Sequence, residues 1–295
     1  MQDLIQKLEQ TLELIKAFLE LEKEQPVTPY ASPQELKDQL DLEIGQRGID
    51  NDTFFAILKE VMVATPKTAS DSFFNQLFGG RNTPALVGEI LASVLNNSMY
   101  TFKVAGPHVL IEKEVIAKML EKVDYRNGTG TLTPGGSVSN MIAMMVARNE
   151  KDTQVRNAGL GGQKMIAYTS EEGHYSTRKN AGILGLGRDQ VRMIKSDALG
   201  KMDVQDLEEN IQADLELGHI PFFINSTAGT TVLGAFDPFE EIALIAQKYQ
   251  AWFHIDGALG GTVVLSRKYR HLVKRIKSTQ YGGAGRAIDK EGDMA

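Results

Sequence analysis

Leu4, Leu8, Leu12, Ile15 and Leu19 recur at helical spacing, so the first two dozen residues predict an amphipathic helix. Its apolar stripe needs a cover, either from the same chain or from a partner subunit. QPVTPYASPQ (25–34) carries three of the nine prolines and predicts an extended linker. Helical patterns follow over 35–63, 84–96 and 108–123. From about residue 129 short apolar runs begin to alternate with helices. VSNMIAMMVARNE predicts a helix, KMIAYTS (164–170) a strand, HYSTRKNAGILGLG a helix and VRMIKS (191–196) a strand. Residues 203–218 predict a helix capped by Asp203, PFFINS a strand, 238–250 a helix and AWFHID (251–256) a strand. Strands this apolar between helices imply a parallel sheet covered on both faces, with ligands at the carboxyl ends of its strands. No internal repeat or low-complexity segment interrupts the pattern.

Composition narrows the class of protein. The 295 residues can bury one large core or two modest ones, and 42% hydrophobic with 24% charged residues is ordinary for a globular chain. The net charge of −6, with both signs interspersed, argues against a nucleic-acid surface. The absence of cysteine removes disulfides, thiolate metal sites and cysteine nucleophiles, and fits a reducing cytosol. The charged N-terminus lacks a signal-peptide core, and no run approaches the ~18 apolar residues of a membrane span. The five histidines lack zinc-motif spacing. The expectation is a cytoplasmic protein with no structural metal, no membrane and no nucleic-acid partner.

Three loop segments could carry chemistry. In TPGGSVSN (133–140), Gly135 and Gly136 let backbone approach a ligand where a helix begins, which suits a phosphate. A tight turn with a serine cap is the alternative. EEGHYS (171–176) places His174 just after a strand, where an imidazole can stack on a flat cofactor, move protons or serve structure alone. STAGTTVLGAFD (226–237) and HIDGALGG (254–261) form the third feature. Asp256 ends an apolar strand, and a carboxylate at that depth needs a cationic or strongly donating partner. An arginine would serve, and so would a protonated pyridine nitrogen. Gly257, Ala258, Gly260 and Gly261 leave room for a ring against the backbone.

In this order and spacing the segments resemble the group II pyridoxal-phosphate decarboxylases, particularly glutamate, cysteine-sulfinate and bacterial aspartate decarboxylases. The resemblance runs from about residue 70 to 276, through FFNQLFGG (73–80), LNNSMYTFKVAGPHVLIEKEV (95–115), GTGTLTPGGSVSNMIAMMVAR (128–148), YTSEEGHYSTRKNAGILGLG (168–187), NSTAGTTVLGAFDPFEEIA (225–243) and WFHIDGALGGTVVLSRKYRHLV (252–273). It implies the large domain of a fold-type I α/β protein, a mostly parallel sheet with helices on both faces. A helical N-terminal, dimer-forming segment (1–70) would precede the large domain (71–276), and 277–295 would be a tail outside the family.

The resemblance also assigns roles. Gly136 and Ser137 would contact the phosphate of pyridoxal 5'-phosphate, His174 would stack on its ring, and Asp256 would pair with the pyridine nitrogen. Thr231 and Ala258 would line the cofactor, while Asn75, Gln76 and Phe78 would sit near the substrate side chain. The implied reaction is loss of carbon dioxide from a small acidic amino acid in a homodimer, with the cofactor accepting the electrons.

Departures from the family pattern accompany these matches. After Ile276 the resemblance fails, and KSTQYGGAGRAIDKEGDMA lacks strand character. The Asn-Pro-His-Lys that supplies the family's Schiff-base lysine is not found. Lys290 falls near the expected distance but in an Asp-Lys-Glu setting. The small C-terminal domain, with its substrate-binding arginine, is expected to be absent. Lys103, Gly106, Pro107 and His108 replace more usual residue types beside the substrate region. The tail reads as a frameshift, a misread gene end or a splice alternative, and a chain ending there is expected to be inactive and poorly soluble. A non-catalytic cofactor-binding or partner-binding remnant is the alternative, and transamination or a lyase step is a third. Phe78 leans towards the cysteine-sulfinate and aspartate enzymes.

Overall fold

Four apolar runs form the strands that organise the fold: β1 (Met165–Ser170), β2 (Val191–Ile194), β3 (Ile220–Thr227) and β4 (Trp252–Asp256). All neighbours pair in parallel, in the order β2-β1-β3-β4, and a fifth strand, β5 (Ile288–Asp289), pairs with β4. The computed structural model describes residues 1–75, 77–125, 127–273 and the backbone of 288–289. Two residues of the tail thus join the sheet, with Ile288 opposite Ile255 and Asp289 opposite Asp256, contrary to the expectation of no strand character there. The edge of β4 offers unpaired backbone groups, and an apolar–polar pair is enough to take them up.

The chain divides into two compact units, residues 1–94 and residues from 95 onward. The first holds α1 (Gln2–Glu24), α2 (Pro33–Gln39), α3 (Asn51–Ala64) and most of α4 (Thr83–Leu95). The helical pattern over 35–63 is two helices. Ser32 and Glu35 form a capping box that starts α2, and Asp50 accepts from the Thr53 N–H to start α3 after a glycine-containing break. α1 packs on α3, yet Leu4, Leu8 and Leu12 at its start remain about half exposed. No residue of α4 is buried.

In the second unit α5 (Phe102–Ala105), α6 (Pro107–Lys122), α7 (Gly136–Lys151) and α8 (Val155–Ala158) precede the sheet. Pro107 stands at the first position of α6, which gives that proline a local structural reason. α9 (Ser176–Ile183) follows β1, α10 (Val204–Glu216) follows β2, and α11 (Phe239–Lys248) follows β3. α9 is shorter than the 174–187 predicted. The chain turns through Gly185 (φ +74°) and Gly187 (φ +95°) into a 3-10 turn. Asp203 caps α10 as expected, accepting from the N–H groups of Gln205 and Asp206.

The sheet's two faces differ in kind. One buries Ile166, Ile194, Ile224 and Ile255 against Leu207 and Ile211 of α10 and Ile242 of α11. Each such side chain contributes about 1.5–3 kcal/mol. On that face a buried polar hub centres on Asp214, which accepts from the Tyr168 hydroxyl and the Arg192 guanidinium and pairs with His219 Nδ1 at 2.9 Å. Burial pushes the Asp214 carboxyl up, but the Arg192 and His219 hydrogen bonds outweigh it and hold the group below its usual range. The other face meets α7 and α9, with Ala143, Met144, Ala147 and Ala181 against Ala167 and Phe223. Towards the carboxyl ends this face turns polar, with Thr169, Asn225 and His254 side by side in register on three strands. No helix among the described residues is long and apolar enough to cross a membrane.

Candidate active site

The polar end of that face is where the predicted site residues of the second unit gather. Gly135 immediately precedes α7 with φ +139° and ψ 155°, a backbone geometry that side-chain-bearing residues rarely adopt. It turns the chain so that Gly136, buried, and Ser137 form the first turn of a 16-residue helix. The helix start and the positive end of its dipole favour an anion there. Two hydroxyls brace the turn, Thr133 Oγ1 and Ser139 Oγ lying 2.6 Å apart. The Ser137 carbonyl accepts from Asn180 Nδ2 at 2.9 Å, which ties the start of α7 to α9.

His174 sits between β1 and α9. Its Nδ1 accepts from the Ser176 N–H at 3.2 Å, and its ring lies 4.2 Å from that of Tyr175. The imidazole thus serves structure by starting α9, and its half-buried ring stands at the carboxyl edge of the sheet.

Asp256, the last residue of β4, is 4% exposed. Its Oδ2 accepts from Asn140 Nδ2 at 2.9 Å and its Oδ1 from the Ala258 N–H at 3.1 Å. Both donors are neutral, and no ion-pair partner for Asp256 occurs among the described residues. The arginine that would serve as an ordinary partner is therefore missing from this set. On the adjacent strand, in register with Asp256, Thr227 is 5% exposed and its hydroxyl has no hydrogen-bond partner among the described residues. Leaving such a group unpaired costs about 1–3 kcal/mol. An edge with a helix start, an uncompensated carboxylate and an orphaned hydroxyl fits a flat cofactor that carries a phosphate, a basic ring nitrogen and polar ring substituents.

The loops from β3 and β4 interlock by backbone. The Ala228 N–H donates to the Asp256 carbonyl at 2.7 Å, and the Gly260 N–H to the Ala228 carbonyl at 2.9 Å. A Cβ at Gly260 would stand 2.3 Å from the Ala228 oxygen and 2.7 Å from Phe236 Cζ. The space at Gly260 is thus filled by protein, not left for a ring as the sequence led us to expect. Asp237 closes the first loop, accepting from the N–H groups of Met202 and Thr227 and from the Ser226 hydroxyl, while burial pushes its carboxyl upward. Thr231 begins the exposed turn of this loop, and Ala258 lies half-buried beside Asp256.

Asn75 and Phe78 belong to the first unit. There Asn75 Oδ1 accepts from the Leu77 N–H, and Phe78 stacks edge-on against Phe73. Gln76 and Lys290 lie outside the described residues. Sequence inspection overlooked Asn140, His254 and Thr227. His254 stands two residues before Asp256, hence on the same face of its strand, and Asn140 one helical turn beyond Gly136, so both could have been found by period alone. Thr227 meets Asp256 only through the parallel register.

The model of the pyridoxal-dependent decarboxylase conserved domain matches residues 33–280, so the family region begins within the first unit, well before residue 70. Cysteine sulfinic acid decarboxylase of Mus musculus is 43% identical over 252 residues, which are 85% of this chain and 51% of that protein. Glutamate decarboxylase of Drosophila melanogaster is 36% identical over 270 residues, 91% of this chain and 52% of that one. The crystal structure of mouse CSAD in apo form superposes with a TM-score of 0.91 at 39% identity, covering 94% of this chain and 60% of that one. The chain spans about half the length of the curated relatives it matches. The family model covers residues 33–280 and these relatives share 36–43% identity over most of the chain, so the chain belongs to the pyridoxal-dependent decarboxylase family.

Proposed function

We propose that the chain carries the cofactor-binding core of a decarboxylase that converts a small acidic L-amino acid (glutamate, aspartate or cysteine sulfinate) to its amine and carbon dioxide. The observation that carries this reading is Asp256, a buried carboxylate oriented by two neutral donors with no cation beside it among the described residues. Pyridoxal phosphate, once bound, supplies the electron sink for the carbon that loses carbon dioxide.

The protein's part is placement and charge. The first turn of α7, with Gly136 and Ser137, would hold the phosphate, and His174 would cover one ring face. Asp256 would keep a proton on the ring nitrogen, which makes the sink effective. Thr231 and Ala258 would line the cofactor, and Asn75, Gln76 and Phe78 would contact the substrate. Thr227 would give its unpaired hydroxyl a partner in the ring's polar substituents.

The assembly we infer is a homodimer in the cytoplasm. Every residue of α4 is exposed, including Leu86, Val87, Ile90, Leu91 and Val94. Patches of this kind mark protein contacts. The cysteine-free composition fits a reducing compartment.

The test is to titrate the purified chain with pyridoxal phosphate, reduce with borohydride and map any modified lysine by mass spectrometry. Carbon dioxide and keto acid are then assayed with the three candidate substrates. Stoichiometric binding is expected; one labelled lysine (Lys290 is the candidate) with carbon dioxide release would mean that this chain completes its own site. Cofactor binding without a labelled lysine or turnover would leave a non-catalytic cofactor-binding protein. Absence of saturable binding refutes the cofactor reading, and keto acid in place of carbon dioxide would move the reaction to transamination.

A further inference from the structure

Beneath Asp256 lies a fully buried polar cluster that reaches from the sheet into two helices. Asn140 of α7 is 4% exposed, Ser176 of α9 and His254 of β4 not at all. Asn140 Nδ2 donates to Asp256 Oδ2 at 2.9 Å and to Ser176 Oγ at 3.1 Å. Asn140 Oδ1 lies 2.6 Å from His254 Nε2. The ring of His254 is itself stacked on Phe223, with centroids 5.4 Å apart.

An amide nitrogen has two protons to donate and its oxygen only accepts, so these three contacts fit one orientation of the side chain. Turned over, the amide would set its oxygen against the Asp256 carboxylate. In the observed orientation the bond to His254 requires the imidazole to carry its proton on Nε2.

Packing does not call for an amide here. Further along the same helix face, Ala143, Met144 and Ala147 meet the sheet as apolar residues. A buried polar group with no task is a liability, because every partner must be satisfied. A lysine or arginine at position 140 would also hold Asp256, but it would neutralise the carboxylate. Asparagine holds the carboxylate and leaves its charge available.

We propose that Asn140 is a positioning residue. Its amide, locked from behind by His254, fixes the Asp256 carboxylate in the orientation that faces the cofactor's ring nitrogen without neutralising it. This rests on the cofactor reading given above.

The test compares the 295-residue chain with Asn140→Leu and Asn140→Asp. The leucine variant removes both arms. The aspartate variant keeps an acceptor for His254 but sets a second carboxylate against Asp256. Without cofactor, nitrogen-15 NMR of the imidazole should show the Nε2 proton of His254 in the wild type and the aspartate variant, and its loss or marked shift in the leucine variant. With nitrogen-15-labelled pyridoxal phosphate, both variants should bind about tenfold more weakly or worse, the effect of losing one hydrogen bond to a charged group. The bound ring nitrogen of the leucine variant should move from the pyridinium position towards the neutral one.

A role in packing alone would lower the urea midpoint of the leucine variant and leave the ring-nitrogen shift where the wild type has it. That outcome overturns the proposal, as does an unchanged His254 proton in the leucine variant. Wild-type chain that binds no pyridoxal phosphate would overturn the cofactor reading and this one with it. Wild type that binds, with variants that bind equally well, overturns this one alone.

Discussion

Replacing Gly260 by alanine adds one methyl group where two loops meet backbone to backbone. The new Cβ would lie 2.3 Å from the Ala228 oxygen, 2.9 Å from its carbonyl carbon and 2.7 Å from Phe236 Cζ. The backbone of Gly260 has φ −96°, open to alanine, so the conflict is one of space alone. Relief requires the loops to part by about 1 Å, since carbon atoms settle near 3.5–4.0 Å. Parting strains or breaks two bonds, Gly260 N–H to Ala228 O and Ala228 N–H to Asp256 O. Overpacking costs about 1–3 kcal/mol and each of the two backbone hydrogen bonds about 1 kcal/mol more, so a destabilisation of about 3–5 kcal/mol is expected. Urea unfolding can be followed by the fluorescence of Trp252, the single tryptophan of the chain, at the start of the β4 strand that leads to this junction. With a slope of ~2 kcal/mol/M, the midpoint should fall by about 1.5–2.5 M. A Gly260→Ala midpoint within ~1 kcal/mol of wild type, at unchanged slope, would refute the interlocked-loop account. Gly88, within α4, is the matched control. A Cβ there meets nothing within 4 Å, so alanine should raise the thermal midpoint of helical circular dichroism by the equivalent of about 0.5–1 kcal/mol.

Asp214→Ala leaves the buried Tyr168 hydroxyl and the half-buried Arg192 and His219 without their shared partner and should cost about 2–4 kcal/mol in the same urea assay. Because the folded-state value of Asp214 is depressed, its contribution is present above the ~3.9 of an ordinary aspartate and is lost as pH falls through the folded value. Asp214→Asn should therefore flatten the loss of stability with acidification below about pH 4, and parallel acid limbs for variant and wild type would contradict this. Asp237, held up by burial, works in the opposite sense and is common to both chains. Asp203→Ala removes the acceptor for two N–H groups at the start of α10 and should cost about 1 kcal/mol, read as a shift in urea midpoint.

The parallel sheet was legible because β1, β3 and β4 each open on a run of apolar residues and lie between helical patterns. Helix limits were less so. Nothing in the periodicity of 35–63 separates α2 from α3. The break depends on Asp50 capping a new helix, a local bond that outweighs the pattern. α9 ends early at residues whose conformation is set by glycines. Asp256 was found by the mismatch between a carboxylate and an apolar strand, which is a chemical signal in the sequence itself. Gly260 was misread because an empty side chain looks the same in sequence whether a ligand or a neighbouring loop fills the space. Ile288–Asp289 joined the sheet without any strand signal, since pairing at an exposed strand edge draws on backbone groups that every residue carries.

The two faces of the sheet divide the work between stability and binding. On the α10 and α11 side, isoleucine, leucine and phenylalanine fill the interior, and the polar hub at Asp214 is satisfied by Tyr168, Arg192 and His219. The α7 and α9 side gives up apolar area near the strand ends to Thr169, Asn225, Thr227 and His254. There the hydroxyl of Thr227 and the carbonyl oxygen of Asn225 have no partner among the described residues. Such groups are tolerated only if the rest of the fold carries their cost of about 1–3 kcal/mol each. The apolar face can do so, because a single buried isoleucine contributes about as much. The imbalance has a direction: a ligand that satisfies the polar edge in the folded chain alone adds its binding free energy to stability, about 2.7 kcal/mol at a hundred times Kd. The same residues that make this side of the sheet a poor core make it a prepared seat for a charged, flat molecule.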